Sequence, residues 1–155
     1  VVTETTPNRV VEQLSQQKAE DIFKRLEGDV LVIGADTVVS LDGNILGKPK
    51  NEADAVEMLE RLQDNEHRVF TGVTLIGRKE GKEFRNTFSE GTVVKFYPMT
   101  EEEIQWYVST KEPMDKAGSY GIQGLGARFV ECIHGDYNNV VGLPIARLYQ
   151  EMKLL

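Results

Sequence analysis

The chain has few cysteines and histidines, and it has no long apolar run. Its 155 residues include one cysteine and two histidines. Cys132 therefore cannot form an intramolecular disulfide, which indicates a reducing compartment, and a cysteine zinc site is excluded. No stretch approaches the roughly 18 consecutive apolar residues of a membrane-spanning helix, and no secretory-signal pattern opens the chain. We therefore expect a cytoplasmic protein that has no membrane partner.

Positive charge is also scarce. The formal net charge is −7, and the sequence pI is about 4.9. Proteins that bind along nucleic-acid strands neutralise phosphates with lysine and arginine, so no DNA or RNA strand is expected as a partner. A small phosphate ligand stays compatible with this charge, because a few lysines in a cleft suffice to hold it.

The remaining composition is that of one soluble globular domain. Hydrophobic residues make up 40% of the chain and charged residues 28%, and 155 residues is a common single-domain length. Patterning and cap residues predict alternating helices and strands. The predicted helices span residues 5–26, 51–63, 100–110 and 144–152, and the predicted strands span residues 30–41, 45–46, 67–78, 84–96 and 127–133.

The histidines, serines and cysteine do not occur in the sequence patterns of common catalytic sites. His67 and His134 have no acidic neighbour at metalloenzyme spacing, and no GxSxG nucleophile elbow occurs. Cys132 is either a nucleophile or a small core residue on a strand, and the core role is favoured because His134 is the nearest basic group.

An acidic residue follows the most apolar strand. The run Val30–Ile33 predicts a strand buried on both faces, and it is followed by Gly34, Asp36 and Thr37. Asp36 is either a turn cap or part of a reactive centre with a nearby lysine such as Lys48. The pattern alone leaves both alternatives open.

A glycine-rich loop follows the third predicted helix. Residues 115–124 have the sequence DKAGSYGIQG, in which glycines let the backbone approach a ligand and Lys116 adds a point charge. Gln123 carries an amide that can both donate and accept, as recognition of a base edge requires. The spacing matches neither a Walker loop nor a dinucleotide fingerprint, so a surface loop with a solvated lysine is the alternative.

Several motifs occur together in one order along the chain. They are GADT at residues 34–37, GKP at 47–49, FTGV at 70–73, EPMDKAGSYGIQG at 112–124 and VVGLP at 140–144. This series closely resembles the Maf family of nucleoside triphosphate pyrophosphatases, also called septum formation inhibitor proteins. The resemblance extends from about residue 14 to residue 149.

The resemblance implies an activity and a set of site residues. Family members hydrolyse a nucleoside triphosphate between the α and β phosphates with a divalent metal, magnesium or alternatively manganese. Asp36 would be the catalytic carboxylate, either as the base for water or as a metal ligand. The other implied residues bind the small-molecule nucleotide: Lys18, Lys48 and Lys116 around the triphosphate, and Thr37 and Gln123 at the base, in the branch that prefers dTTP and UTP.

The resemblance also implies a fold and reveals one departure from the family pattern. The implied fold is α/β, a long twisted mixed sheet flanked by helices, with two lobes around a nucleotide cleft as in inosine triphosphatases. Homodimers are usual for the family. Residues 1–155 would form a single domain that lacks the family's first strand and SxSPRR loop, so we expect the chain to begin inside a longer polypeptide. A non-catalytic nucleotide-binding module that regulates cell division is the alternative function.

Overall fold

The computed structural model describes Val2 and residues 4–155; Val1 and Thr3, which the predicted domain includes, lie outside the described residues. The described part alternates helices and strands along the chain. The helices are α1 (Pro7–Phe23), α2 (Glu52–Leu62), α3 (Glu101–Ser109), α4 (Tyr137–Val141) and α5 (Ile145–Met152). The strands are β1 (Val30–Leu41), β2 (Asn44–Leu46), β3 (Glu66–Lys79), β4 (Lys82–Phe96) and β5 (Val130–His134).

Local caps begin two of the predicted helices. The Asn51 side chain accepts a hydrogen bond from the Asp54 backbone N–H at 2.8 Å, which begins α2. Thr100 and Glu103 form a reciprocal capping box at the start of α3, with bonds of 3.1 and 2.9 Å. These bonds satisfy amide groups that have no partner within a helix, so both helix starts follow from local sequence.

The strands form one sheet in the order β2-β1-β3-β4-β5. Two tight turns, at residues 42–43 and 80–81, join β1 to β2 and β3 to β4. The predicted α/β class and the long sheet flanked by helices are confirmed. Every pairing among the described strands is antiparallel, so the described residues contain no parallel pair of the mixed sheet that we expected.

Helix α1 packs against one face of the sheet at unusually short range. A Cβ atom on Gly34 would lie 2.7 Å from the Ser15 carbonyl oxygen, and one on Gly72 would lie 2.3 Å from the Val11 carbonyl oxygen. Both positions therefore require glycine for the helix to approach β1 and β3. This close approach brings the C-terminal half of α1 over the middle of β1.

The opposite face carries two apolar clusters. The larger one joins Val39, Val69 and Phe96 of the sheet to α2, α3 and the loop before β5. The smaller one contains Val73, Phe88 and Leu148, the last from α5. Thr37, Val39 and Val69 of β1 and β3 line a cavity beside the larger cluster.

Several predicted burials are wrong. Leu31 and Ile33 are 38% and 44% exposed, because α1 covers the other face of β1, where Val32 is buried. Cys132 is exposed on the edge strand β5, so it is not a core residue. Four apolar residues within the predicted helices 5–26 and 144–152 are also exposed: Ile22, Leu26, Ile145 and Tyr149.

Within the residues that the structure describes, the helices are all too short or too polar to span a bilayer.

Candidate functional site

The candidate site surrounds a free edge of β1. On one side β1 pairs with β3 from Val30 to Ser40, whereas on the other side β2 reaches only Val39–Leu41. Among the described residues, the preceding edge of β1 therefore has no neighbouring strand. Asp36 and Thr37 lie at this edge, and strand alternation directs their side chains to opposite faces of the sheet.

A cavity of about 280 Å³ lies on the Thr37 side of the sheet. Its walls are mainly apolar and come from β1, β3, α4 and the glycine-rich loop, with Val39, Val69, Tyr120, Ile122, Val140 and Val141 among them. Polar side chains also line the cavity: Thr37, Lys48, Lys116 and Gln123. An apolar cavity with a few polar groups is typical of a small-molecule site.

The glycine-rich loop is tied to the segment that carries Lys48. The Gly118 backbone N–H donates to the Gly47 carbonyl at 3.1 Å. The hydrogen bond from Lys116 lowers the pKa of Asp115, and the charge of Lys48 contributes to the same shift. Two ammonium groups from distant parts of the sequence therefore act on the same region of the cavity.

Glu112 holds the loop that supplies Lys116 and Gln123. Its carboxylate accepts the Tyr107 hydroxyl at 2.5 Å and the backbone N–H groups of Leu125 and Gly126 at 3.0 and 2.9 Å. The Lys116 ammonium also donates to the Glu112 carbonyl at 3.1 Å. Glu112 thus connects the start of the loop, at Lys116, with the residues that follow its end.

Electrostatics at Glu112 favour the ionised carboxylate. Burial raises the pKa of this group, but the Tyr107 hydroxyl, the Leu125 and Gly126 amides and the Lys116 charge together lower it below the usual glutamate value. Sequence reasoning missed this residue, because a glutamate at the start of a loop gives no local sign of three distant donors. Its place in the EPMDKAG motif is the one signal that could have suggested it.

Asp36 lies on the α1 side of the sheet, where it forms an ion pair with Lys18. The Asp36 side chain is 20% exposed and the Lys18 side chain 56% exposed. Lys18 also lies 3.3 Å from the Ala35 carbonyl oxygen, so α1 holds its ammonium against β1. The turn-cap alternative for Asp36 is wrong, because Asp36 lies within a strand.

Asp36 supplies one carboxylate as a possible metal donor on its side of the sheet. Among residues 4–155 no group of three or more histidine, cysteine, aspartate or glutamate side chains is arranged to hold a metal ion. Mg²⁺ commonly binds through one or two carboxylates together with substrate phosphates and waters. A single exposed-edge carboxylate such as Asp36 is compatible with that type of binding.

Comparison with known proteins identifies the family. The family model described as Maf-like protein matches residues 2–155, which is nearly the whole chain. The chain belongs to the Maf family. The resemblance found in the motifs is thereby confirmed.

Relatives within the Maf family are similar over most of their length. A protein of Agathobacter rectalis named dTTP/UTP pyrophosphatase is 51% identical, and the match covers 100% of this chain and 82% of that protein. Proteins with the same name from Lachnoclostridium phytofermentans and Bacillus cytotoxicus are 50% and 53% identical. Those matches cover 99% and 96% of this chain and 78% and 75% of the relatives.

The residues that the Maf resemblance implicates form two groups in the structure. Thr37, Lys48, Lys116 and Gln123 share the cavity, whereas Asp36 and Lys18 form a pair on the other side of β1. The ion pair that Asp36 forms is with Lys18. The two groups are neighbours along the free edge of β1, since Asp36 and Thr37 are consecutive.

A buried histidine contacts Tyr120, one of the residues that line the cavity. His67 is 2% exposed, and its Nε2 atom lies 2.5 Å from the Tyr120 hydroxyl oxygen. The rings of His67, Phe96 and Tyr120 pack edge to face with centroid separations of 4.7 to 5.3 Å. Burial lowers the pKa of His67 to about 4. The histidine is therefore a neutral structural group at neutral pH.

We expect the free energy of unfolding to fall between pH 6.5 and pH 4 because of His67. The unfolded state takes up the proton near pH 6.5 and the folded state near pH 4, so stability is complete above pH 6.5 and decreases as pH falls. The difference corresponds to about 3 kcal/mol. Urea unfolding of a His67→Gln variant across this range should show a flatter dependence. The exposed His134, changed to Gln, is the matched control, and an equal flattening there would contradict the assignment.

Proposed function

We propose that this protein hydrolyses dTTP and UTP to the nucleoside monophosphate and pyrophosphate. The observation that carries the proposal is the roughly half-identical match, over nearly the whole chain, to relatives named dTTP/UTP pyrophosphatase. The cavity supports it, because a mainly apolar cavity lined by the Thr37 hydroxyl and the Gln123 amide suits a pyrimidine base.

The order of residues along β1 suggests the course of the substrate, because Thr37 lines the cavity and Asp36 is the residue before it. A base in the cavity would place its triphosphate near Lys48 and Lys116, and the chain of phosphates would then pass the edge of β1 toward Asp36. Lys18, Lys48 and Lys116 would offset part of the roughly four negative charges on the nucleotide. The net charge of −7 makes such a local positive cluster necessary for anion binding.

Asp36 is the proposed catalytic carboxylate. Its oxygen would orient a water molecule and accept its proton while water adds across the α–β anhydride and pyrophosphate leaves. A divalent cation, for which Asp36 is the proposed protein ligand, would neutralise charge on the phosphates. The Lys18 ammonium pairs with Asp36, and because the side chain is 56% exposed a phosphate could reach it as a further partner.

Pyrophosphate release tests the function directly. The full-length protein is incubated with Mg²⁺ and each of dTTP, UTP, dCTP, dATP and dGTP, and pyrophosphate and orthophosphate are measured separately. We expect pyrophosphate from dTTP and UTP in clear preference to the others, with stoichiometric monophosphate. Binding without hydrolysis would instead favour the non-catalytic module, and release of orthophosphate would contradict cleavage between the α and β phosphates.

The same proposal bears on where the protein works. Its substrates are free nucleotides, and its single cysteine is exposed and unpaired. Both features support action in the cytoplasm, where thiols stay reduced.

A further inference from the structure

A short chain of hydroxyl groups runs from the cavity into the protein. The Thr37 Oγ1 atom lies 2.8 Å from the Thr71 Oγ1 atom, its cross-strand neighbour on β3. Thr71 Oγ1 in turn donates to the backbone carbonyl oxygen of Asn139, on α4, at 2.9 Å. Thr71 and Asn139 are both completely buried, whereas Thr37 reaches the cavity.

The direction of these hydrogen bonds follows from the number of hydrogens available. Each threonine hydroxyl has a single hydrogen, and a carbonyl oxygen can only accept. The hydrogen of Thr71 therefore points to Asn139, and Thr37 must donate to Thr71. If Thr71 donated to Thr37 instead, the fully buried Asn139 carbonyl would lose its Thr71 donor, which is unfavourable. Thr37 consequently offers the cavity its oxygen lone pairs and no hydrogen.

Asn139, which ends the row of hydrogen-bonded groups, is held in place by its side chain. The Asn139 amide nitrogen lies within 3.0 to 3.2 Å of the Thr92 hydroxyl and of the carbonyl oxygens of Val69 and Glu90. These contacts fasten α4 to β3 and β4. The Asn139 carbonyl therefore stays opposite Thr71, and the orientation of the hydroxyl chain is set by the fold.

Gln123 has no comparable restraint. Its side chain is exposed and makes no hydrogen bond with any other residue of the described part of the chain. An unrestrained amide can turn over and present either its oxygen or its NH₂ group to a base. Gln123 can therefore contact the edge of either uracil or cytosine and cannot by itself separate them.

We propose that Thr71 is a positioning residue for base selection, because it fixes Thr37 as a hydrogen-bond acceptor for the N3 atom of the base, which must then carry a hydrogen. The N3 atom of uracil and thymine carries a hydrogen, whereas N3 of cytosine carries a lone pair that would face the lone pairs of Thr37. This inference rests on the proposed function for its choice of substrate. It assigns the discrimination between pyrimidines to a buried residue that does not itself touch the nucleotide.

Replacing Thr71 by valine removes the acceptor of the Thr37 hydrogen at almost constant volume. Thr37 can then turn and donate to N3 of cytosine, so the preference for UTP over CTP, as a ratio of kcat/KM values, should fall by about tenfold or more. Thr71→Ser retains the hydroxyl and should retain the preference. Thr71→Ala, which places no methyl group against the Asn139 carbonyl, is used if the valine variant does not fold.

Thr74→Val is the matched control. Thr74 is a buried threonine on the same strand, but its hydroxyl bonds to Ser15 and Thr87, away from the cavity. We expect this variant to lose stability without a change in the UTP to CTP ratio. A merely structural role of Thr71 would likewise lower turnover of both nucleotides together and leave the ratio unchanged.

Binding measurements separate this inference from the proposed function. The dissociation constants of α,β-methylene-UTP and α,β-methylene-CTP are measured by calorimetry for the native protein and each variant. A loss of base preference in Thr71→Val but not in Thr71→Ser supports the inference, even if no pyrophosphate is released and the proposed function fails. An unchanged preference in Thr71→Val, or equal binding of both analogues by the native protein, overturns it even if dTTP and UTP are hydrolysed.

Discussion

Asp36→Asn is expected to lower pyrophosphate release from dTTP by roughly 10² to 10⁴-fold, the usual contribution of a general base. Asparagine has nearly the same shape as aspartate, but its amide cannot accept a proton from water and is a poor ligand for Mg²⁺. The expected fall is in kcat, because the amide preserves packing at the edge of β1.

Nucleotide affinity should respond differently in the same variant. The carboxylate lies next to Lys18 and repels a triphosphate, so its removal frees the ammonium and reduces repulsion. We therefore expect the dissociation constant for dTTP, measured without the divalent cation, to stay the same or to decrease, while kcat measured with Mg²⁺ falls. Steady-state kinetics and calorimetry measure the two effects separately.

The matched control is Asp21→Asn, on the exposed surface of α1. Asp21 is half exposed and pairs with Lys24 and Arg25 instead of Lys18, and its removal should leave kcat within about twofold of the native value. Turnover by Asp36→Asn comparable to that of this control would remove Asp36 from the reaction.

Glu112→Gln should destabilise the protein and impair substrate binding together. Each carboxylate oxygen of Glu112 accepts a backbone N–H, from Leu125 or from Gly126. In glutamine one of these oxygens becomes an NH₂ group, which faces a backbone donor in either orientation of the amide. An amide N–H left without its acceptor costs about 1–3 kcal/mol in the free energy of unfolding.

The effect on activity follows from what the loop carries. Lys116 and Gln123 lie between Glu112 and its backbone donors, so a loosened loop misplaces a phosphate ligand and a base contact at once. We expect kcat/KM for dTTP to fall by about ten- to hundredfold, mainly through KM. Chemical denaturation and steady-state kinetics provide the two readouts.

Glu102→Gln is the control for this variant, because Glu102 is an exposed acid in the first turn of α3. It should change stability by no more than about 0.5 kcal/mol.

The pH dependence of stability offers a further check on Glu112. Because the pKa of Glu112 is lowered in the folded state, its contribution is present above the ordinary glutamate pKa and is lost as pH falls below it. The glutamine variant should lack this part of the acid dependence.

Local sequence was sufficient for most of the secondary structure. The caps at Asn51 and Thr100 and the turn at residues 42–43 act within a few residues, so their patterns identify helix starts and a hairpin without knowledge of distant contacts. Alternation and apolar runs likewise predicted the long strands β3 and β4. The short helix α4 was missed, since five residues carry too little periodicity to be recognised.

Burial was predicted less well, because it depends on what covers each face. Leu31 and Ile33 belong to an apolar run, but α1 packs on the opposite face of β1 and leaves them exposed. Cys132 lies on an edge strand, where an apolar pattern does not ensure a neighbour. Neither fact follows from spacing along the chain.

The sequence by itself determined the membership of the family and the residues to consider, because motifs such as GADT and DKAGSYGIQG carry that information in their order. Only the tertiary structure decided how these residues divide between the two sides of β1, with Asp36 and Lys18 on one side and Thr37 and Gln123 on the other. It also placed the Thr71 hydroxyl between the Thr37 hydroxyl and the Asn139 backbone carbonyl. The reason is physical: such relations depend on strand register and helix packing between residues far apart in sequence, and no local pattern records them.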